Sequence, residues 1–308
     1  MMMALSTLVS CGGKGGKKAA NKAPALEFKM PQIPSIITDF QERAEYLAKH
    51  YWDNVNFSDT AWVATNAVTE QAFVNYIDNL SQMLFYNYQE MATKSMNDLM
   101  NRARVNERVY LSFYEIAAKY LYHPNSQMRN EILYLVVLEN LISWDALDEL
   151  YKITPRMELE LSLKNRIGEP ANNIKITLSS GATTNLYDIK ANYTLLYFNH
   201  PECSACAQVT AELNRSDLIR NLLRSGELKI VAVYTEEELE AWRKHIGDLP
   251  GEWIKGYDAG QITRKEKLYD LRAIPALYLL DKDKRVILKD IASGLYIEDY
   301  FKYIFNLH

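Results

Sequence analysis

The chain of 308 residues is 48% hydrophobic and 24% charged, as in an ordinary globular protein. That length gives room for about two domains of ~150 residues each. The formal net charge is −4, from 39 acidic and 35 basic residues, and no basic stripe is interleaved with aromatic residues, so nucleic acid is not an expected partner. No apolar run approaches the ~20 residues that a membrane-spanning helix needs.

The chain begins with a short apolar segment, residues 1–11, that ends in Leu8-Val9-Ser10-Cys11. This ending resembles a bacterial lipobox. The resemblance implies that residues 1–11 are a lipoprotein signal and that Cys11 carries the lipid. In the alternative interpretation, Cys11 is an idle thiol in a disordered tail. Residues 12–33 begin with a run of glycine and lysine, which predicts a flexible tether that holds a globular body near a membrane.

Helical spacing dominates residues 34–166 and predicts an all-helical domain. Apolar residues recur there at intervals of three and four, as at Phe73, Ile77, Leu80 and Leu84. Apolar residues between positions 132 and 142 cover the whole circumference of a helix, which indicates a central, buried helix.

Residues 167–308 alternate short apolar strands with helical segments, which predicts an α/β sandwich as the second domain. The predicted strands are residues 174–178, 194–198, 228–234, 276–280 and 285–288. The predicted helices are residues 207–223, with a break near 214–216 and a stop at Gly226, then 236–245 and 297–307.

A pair of cysteines, in Cys203-Ser204-Ala205-Cys206, follows the buried strand at residues 194–198 and opens the next helix. The unsatisfied N–H groups and the positive dipole end at a helix start favour a thiolate at Cys203. We therefore predict Cys203 as the nucleophile. Cys206 lies one turn further on, where it can resolve a mixed disulfide between Cys203 and a substrate.

Two alternatives compete with this dithiol. A structural zinc site needs four ligands, and Cys11 is far away in the sequence. His200 could supply a third ligand, but no fourth follows at a suitable spacing, so we expect neither a metal nor another cofactor. The other alternative is an inert structural disulfide between Cys203 and Cys206.

The region from Gly168 onward resembles a thioredoxin-like domain of the TlpA/ResA type. The resemblance rests on Gly168-Glu169-Pro170-Ala171, the two cysteines, Val231-Ala232-Val233 and Ile274-Pro275, which follow the order of that family. It implies that Pro275 is cis and faces Cys203, and that the backbone beside Ile274 binds an extended substrate segment. Without such a role, Ile274-Pro275 would merely begin an edge strand.

Two positions depart from the family pattern. Tyr197 stands where thioredoxins carry a buried acid, and Glu202 stands where they carry a tryptophan. The usual proton acceptor for Cys206 is therefore missing, and Glu202 or His200 would have to replace it. Both could equally be solvated loop residues.

The stretch Tyr46-Leu47-Ala48-Lys49-His50-Tyr51-Trp52-Asp53 and its helical surroundings resemble a domain of unknown function that precedes thioredoxin-like domains in Bacteroidetes lipoproteins. Together the two resemblances imply an extracytoplasmic thiol-disulfide oxidoreductase, more a reductase than an oxidase. We expect it to be anchored by lipid to the cell envelope, on the periplasmic side and at the outer membrane. Its expected partners are protein thiols and disulfides and an upstream redox protein. The alternative is a binding or adaptor protein with a redox-inactive scaffold.

Overall fold

The structure is a computed structural model that describes residues 26–63 and 67–307. Cys11 and most of the predicted tether lie outside these residues. The N-terminal half is helical, as predicted, with α1 (Phe40–His50), α2 (Ala67–Phe85), α3 (Gln89–Ala103), α4 (Glu107–Ala117), α5 (Glu131–Ile142) and α6 (Ile153–Ser162). Short turns of 3₁₀ helix at Thr60–Trp62 and Glu149–Lys152 and a π-helical turn at Ala118–Tyr122 join them.

Apolar and aromatic side chains from these helices form one core. α5 supplies Leu133, Val137, Leu138 and Leu141, all fully buried, which confirms the predicted central helix. The side chain of Asn130 caps this helix by accepting the backbone N–H of Leu133. Packing on the core begins before residue 34, because Phe28 stacks on the ring of Tyr51 with 5.1 Å between ring centroids.

The C-terminal half is a seven-stranded sheet with helices, as the thioredoxin-like resemblance implied. The strands are β1 (Lys175–Leu178), β2 (Thr183–Asn185), β3 (Tyr193–Phe198), β4 (Leu228–Tyr234), β5 (Ile254–Tyr257), β6 (Ala276–Leu280) and β7 (Val286–Ile291). The helices are α7 (Ser204–Arg215), α8 (Asp217–Ser225), α9 (Leu239–His245), α10 (Ile262–Lys265) and α11 (Gly294–Ile304). Among the helices of the described residues, none is both long and apolar enough to cross a bilayer.

The strands lie in the order β2-β1-β5-β4-β3-β6-β7. β3 is an interior strand, parallel to β4 and antiparallel to β6, and all but its first residue are buried. Because one face of the sheet is covered by α7, α8 and α11, β3 is fixed on both edges and on that face. Its carboxyl end therefore places the following cysteines rigidly.

Five strands were predicted, but β2 and β5 were not. The break in the predicted helix is real: α7 ends at Arg215 and α8 begins at Asp217, with Ser216 as its N-cap. Gly226 ends α8 in the left-handed conformation, at φ 78°, which is the predicted stop.

The helical half packs against the sheet half next to the loop that precedes β6. The Lys289 ammonium on β7 lies 2.5 Å from the Glu131 carboxylate and donates to the carbonyl of Ser162 at 2.8 Å. In the loop, the Arg272 guanidinium lies over the ring of Tyr122, 3.5 Å from its centroid. The two halves are thus joined by charged and aromatic contacts, of which the Arg272–Tyr122 contact lies two residues before Ile274.

Candidate active site

Cys203 is the N-cap of α7. Its sulfur accepts the backbone N–H of Cys206, with a distance of 3.1 Å between Sγ and N. The extended backbone at Cys203 ends the turn that leaves β3, and the helix begins at the next residue. The sulfur therefore lies at a helix N-terminus, the environment that was predicted from the sequence.

The loop before β6 brings Ile274 and Pro275 to the same place. The thiol of Cys203 donates to the carbonyl oxygen of Ile274 at 3.6 Å. The Ile274–Pro275 peptide bond is cis, as the resemblance implied, and Pro275 is buried. Three residues far apart in the sequence, Cys203, Ile274 and Pro275, thus meet at one end of the sheet.

The two thiols have different surroundings. Both are free; Cys203 is half-buried, whereas Cys206 is only 3% exposed. Burial raises the pKa of Cys206 to about 12, and the hydrogen bond with Cys203 acts in the same direction. Cys206 therefore holds its proton firmly until a base removes it.

Tyr197 takes the position of the family's buried acid but has a different role. Its hydroxyl donates to the carbonyl of Cys206 at 2.8 Å and lies 3.3 Å from Oγ1 of Thr210. Burial raises the pKa of Tyr197 well above its ordinary value, so the phenol stays protonated. Tyr197 orients the start of α7 and does not accept the proton of Cys206.

Neither residue predicted for proton transfer is bonded to a thiol by its side chain in the described part of the chain. Glu202 is exposed, and its backbone N–H donates to Nδ1 of His200 at 3.2 Å. The His200 ring packs on Tyr234, with 5.6 Å between ring centroids. His200 borders the site, whereas the Glu202 side chain faces solvent.

A cavity of about 340 Å³ lies beside Cys206. It is bordered by β3, α7 and the end of α9, and His245 and Asp248 contribute to its wall. The sequence analysis did not select these two residues. In the sequence, the only indication of these two residues is a histidine three positions before an aspartate at a helix end. The same spacing occurs at His50 and Asp53, so it does not single out His245 and Asp248.

Within the described residues, no group of three or more histidine, cysteine, aspartate or glutamate side chains is arranged to hold a metal ion. The thioredoxin-like class is defined by three features that meet here: an accessible sulfur at a helix start, a buried second thiol, and a proline loop beside them. The proline loop is the segment before β6 that contains the cis Ile274–Pro275 bond.

Comparison with known proteins agrees with this class and gives the family. A family described as "Domain of unknown function (DUF5106)" matches residues 9–165, and one described as "Thioredoxin-like" matches residues 191–286. The crystal structure of a thioredoxin-like protein from Bacteroides caccae is 42% identical, with a TM-score of 0.84, over 90% of this chain and 98% of that chain. The chain belongs to the DUF5106 family, with a thioredoxin-like domain as its C-terminal half.

Two further relatives cover less. A solved domain of a possible thiol-disulfide isomerase from Cytophaga hutchinsonii is 31% identical, with a TM-score of 0.41, over 47% of this chain and 97% of that chain. Nucleoredoxin from Xenopus laevis is 26% identical over 102 residues. That match covers 33% of this chain and 24% of the length of nucleoredoxin.

Proposed function

We propose that this protein is a thiol-disulfide oxidoreductase that reduces disulfides in other proteins. The observation that carries the proposal is the placement of the Cys203 sulfur between the N–H of Cys206 and the carbonyl of Ile274. A half-buried sulfur can be reached by a substrate disulfide, and the second thiol lies one helical turn away. Membership of a thioredoxin-like family supports this chemistry.

The reaction proceeds by two sulfur exchanges. The Cys203 thiolate attacks one sulfur of the substrate disulfide; a new S–S bond forms to Cys203, and the other substrate sulfur leaves as a thiolate. Cys206, once deprotonated, then attacks Sγ of Cys203 and releases the second substrate sulfur. Two electrons pass to the substrate, and the protein ends as a Cys203–Cys206 disulfide. An upstream redox protein restores the dithiol.

The Ile274 backbone gives the substrate its orientation in this proposal. An extended segment that pairs with the loop before β6 would bring its disulfide beside Cys203. Pro275 has no backbone N–H, so it cannot donate a hydrogen bond to a carbonyl group of the substrate, and the pairing is left to the neighbouring backbone. The roles of Cys203, Cys206, Ile274 and Pro275 thus follow from one juxtaposition.

The proposal places the protein outside the cytoplasm, anchored to the envelope by lipid on Cys11. The lipobox-like ending Leu8-Val9-Ser10-Cys11 supports this. Metabolic labelling with a palmitate analogue tests the anchor. Label should appear when the full native leader is expressed and should disappear in Cys11→Ser. Absence of label in the first protein, or label that persists in the variant, contradicts the anchor.

Reduction of insulin by dithiothreitol tests the activity. The chain should accelerate precipitation of the insulin B chain, and Cys203→Ser should reduce the rate to that of dithiothreitol alone. Equal, uncatalysed rates for both proteins would contradict the proposal. That result would favour an adaptor with a redox-inactive scaffold. A protonated Tyr197 at the position of the family's acid is also compatible with this second function.

A further inference from the structure

Resolution of the mixed disulfide needs a base that the family's pattern does not supply here. Cys206 is buried, and burial raises the pKa of its thiol to about 12. A thiol with such a pKa is almost entirely protonated at neutral pH. Tyr197, at the position of the usual acid, stays protonated and donates its hydrogen bond to a carbonyl. A proton acceptor for Cys206 must therefore come from elsewhere.

The cavity of about 340 Å³ beside Cys206 contains such a group. His245, the last residue of α9, borders the cavity together with Cys206 and Tyr197. Its Nδ1 lies 2.9 Å from Oδ2 of Asp248, a residue that also borders the cavity. When Asp248 is ionised, this bond places the ring proton on Nδ1 and leaves Nε2 as an acceptor. A base oriented by a carboxylate is the arrangement that activates nucleophiles in many enzymes.

The other charged or titratable groups around the cavity are poorly suited. His200 enters from the loop after β3, but its Nδ1 accepts the N–H of Glu202 and its ring packs on Tyr234. Lys255, on β5, lies next to the segment that follows α9. Its ammonium donates to the carbonyl groups of Ile246 and Leu249, at 3.2 and 2.6 Å. Trp242 of α9 and Thr210 of α7 complete the nearby wall without charge.

We propose that His245, oriented by Asp248, accepts the proton of Cys206 across this cavity during resolution. This inference rests on the thiol-disulfide exchange proposed above. The proton moves from Sγ of Cys206 to Nε2 of His245; the thiolate attacks Sγ of Cys203 and a Cys203–Cys206 bond forms. His245 then gives its proton to the leaving substrate thiolate, directly or through solvent, and returns to its neutral form.

An aromatic disulfide, 5,5′-dithiobis(2-nitrobenzoate), separates the two steps in the full-length chain with Cys11→Ser, which leaves two thiols. The first equivalent of coloured thiolate reports attack by Cys203, and the second reports resolution by Cys206. His245→Ala should leave the first phase unchanged and slow the second about 100-fold. Added imidazole should enter the cavity and accelerate the second phase of His245→Ala by about tenfold or more. Asp248→Asn should slow the second phase by a smaller factor.

His50→Ala is the matched control, because His50 forms the same pair with a residue three positions later, at 2.6 Å to Asp53, on the distant α1. It should leave both phases unchanged. Circular dichroism confirms that each variant is folded, and His245→Gln, close in shape, substitutes if His245→Ala is not. An unchanged second phase in the folded His245 variants overturns the inference while the proposed function stands. A slowed second phase that imidazole does not accelerate also overturns the inference, because it shows that His245 has only a structural role. If the unsubstituted pair releases no second equivalent, the proposed function itself fails.

Discussion

Cys203 and Cys206 are one helical turn apart, yet they are suited to opposite tasks. The sulfur of Cys203 is half-buried, accepts a backbone N–H and borders the proline loop. Cys206 is enclosed by α7 and β3 and keeps its proton. Attack from outside should therefore involve only Cys203, whereas Cys206 reacts with a partner that Cys203 has already brought in.

Alkylation of the reduced protein should show this difference. At pH 8, iodoacetamide should modify Cys206 about tenfold or more slowly than Cys203, because Cys206 is buried and its thiol is protonated. Peptide mapping by mass spectrometry at short times measures both rates in one sample. The same reaction in guanidinium chloride, where burial is lost, is the control and should make the rates similar. Faster modification of Cys206 in the folded protein would reverse the assigned roles.

At this scale, the sequence predicted the residues that adjoin the sulfur atoms and missed His245 and Asp248, which border the cavity beside Cys206. Cys203, Cys206 and Ile274-Pro275 form local patterns with a known geometry, so they could be found. That His245 and Cys206 border one cavity could not be found, because they lie on different helices, α9 and α7, and come to the same cavity only in the folded chain. Glu202 was selected for its closeness in sequence, but its side chain is exposed to solvent.

Among the elements, α7 depends on a close contact with α11. A Cβ atom on Gly294, the first residue of α11, would lie 2.9 Å from Cβ of Glu212 and 3.1 Å from the carbonyl oxygen of Val209. The N–H of Gly294 also donates to Oε2 of Glu212 at 2.8 Å. Glycine at this position therefore lets α11 support α7, the helix that contains Cys206 and has Cys203 as its N-cap.

Replacing this glycine should weaken the fold. Gly294→Ala should lower the free energy of unfolding by about 1–3 kcal/mol, since either helix must shift to admit the methyl group. Gly251→Ala is the matched control: no atom lies within 4 Å of its Cβ position, and its cost should stay within about 0.5 kcal/mol. Urea unfolding measures both. Equal stabilities for the two variants would show that α11 and α7 are not tightly packed.

The strands that the sequence missed have physical reasons for weak signals. β5 contains Lys255 and Gly256, two residue types that are uncommon in strands, and it is held in place by β1 and β4 on either side. Gly256 is needed there because a Cβ atom would clash with Cγ2 of Ile176. β2 has only polar residues and pairs along one edge. Tertiary contacts, rather than periodicity, produce both strands.

At the scale of the whole molecule, the contacts between the helical half and the sheet half decide whether the two halves stay together when the chain between them is cut. Arg129 in the helical half pairs with Asp290, whose carboxyl is largely buried. Burial raises the pKa of Asp290 even with Arg129 beside it, so this pair alone does not offset the desolvation of the carboxylate. Lys289, bonded to Glu131 and to the carbonyl groups of Ser162 and Lys164, adds the further contacts.

Limited digestion with trypsin should cut after the exposed Arg166, at the predicted boundary between residues 34–166 and 167–308. Because the ion pairs and the Arg272–Tyr122 contact cross this boundary, the two fragments should co-elute on gel filtration and separate only in denaturant. Mass spectrometry of the eluted peak identifies them. One uncut core would contradict the boundary, and separate elution in buffer would contradict the interface.

Buried tyrosines should make the molecule sensitive to alkali. Of its 21 tyrosines, several are enclosed, and burial raises the pKa of Tyr51 and of Tyr122 to about 12. Since the folded pKa exceeds the ordinary value of 10.0, their contribution to stability is complete below about pH 10 and is lost as the pH rises toward 12. Absorbance at 295 nm and circular dichroism should therefore change together above pH 10. Full ionisation near pH 10 with unchanged circular dichroism would contradict this burial.

The most direct test of the central claim is to trap the mixed disulfide in cells. Cys206→Ser keeps the attacking sulfur and lacks the resolving one, so it should accumulate disulfide-linked client proteins; Cys203→Ser should trap far fewer. Non-reducing gels followed by mass spectrometry compare the two variants, and Cys11 is the same in both. A client ladder in Cys206→Ser and a nearly empty lane for Cys203→Ser is the predicted result. Two equally empty lanes, under conditions where a thioredoxin trap works, would contradict a thiol-disulfide oxidoreductase.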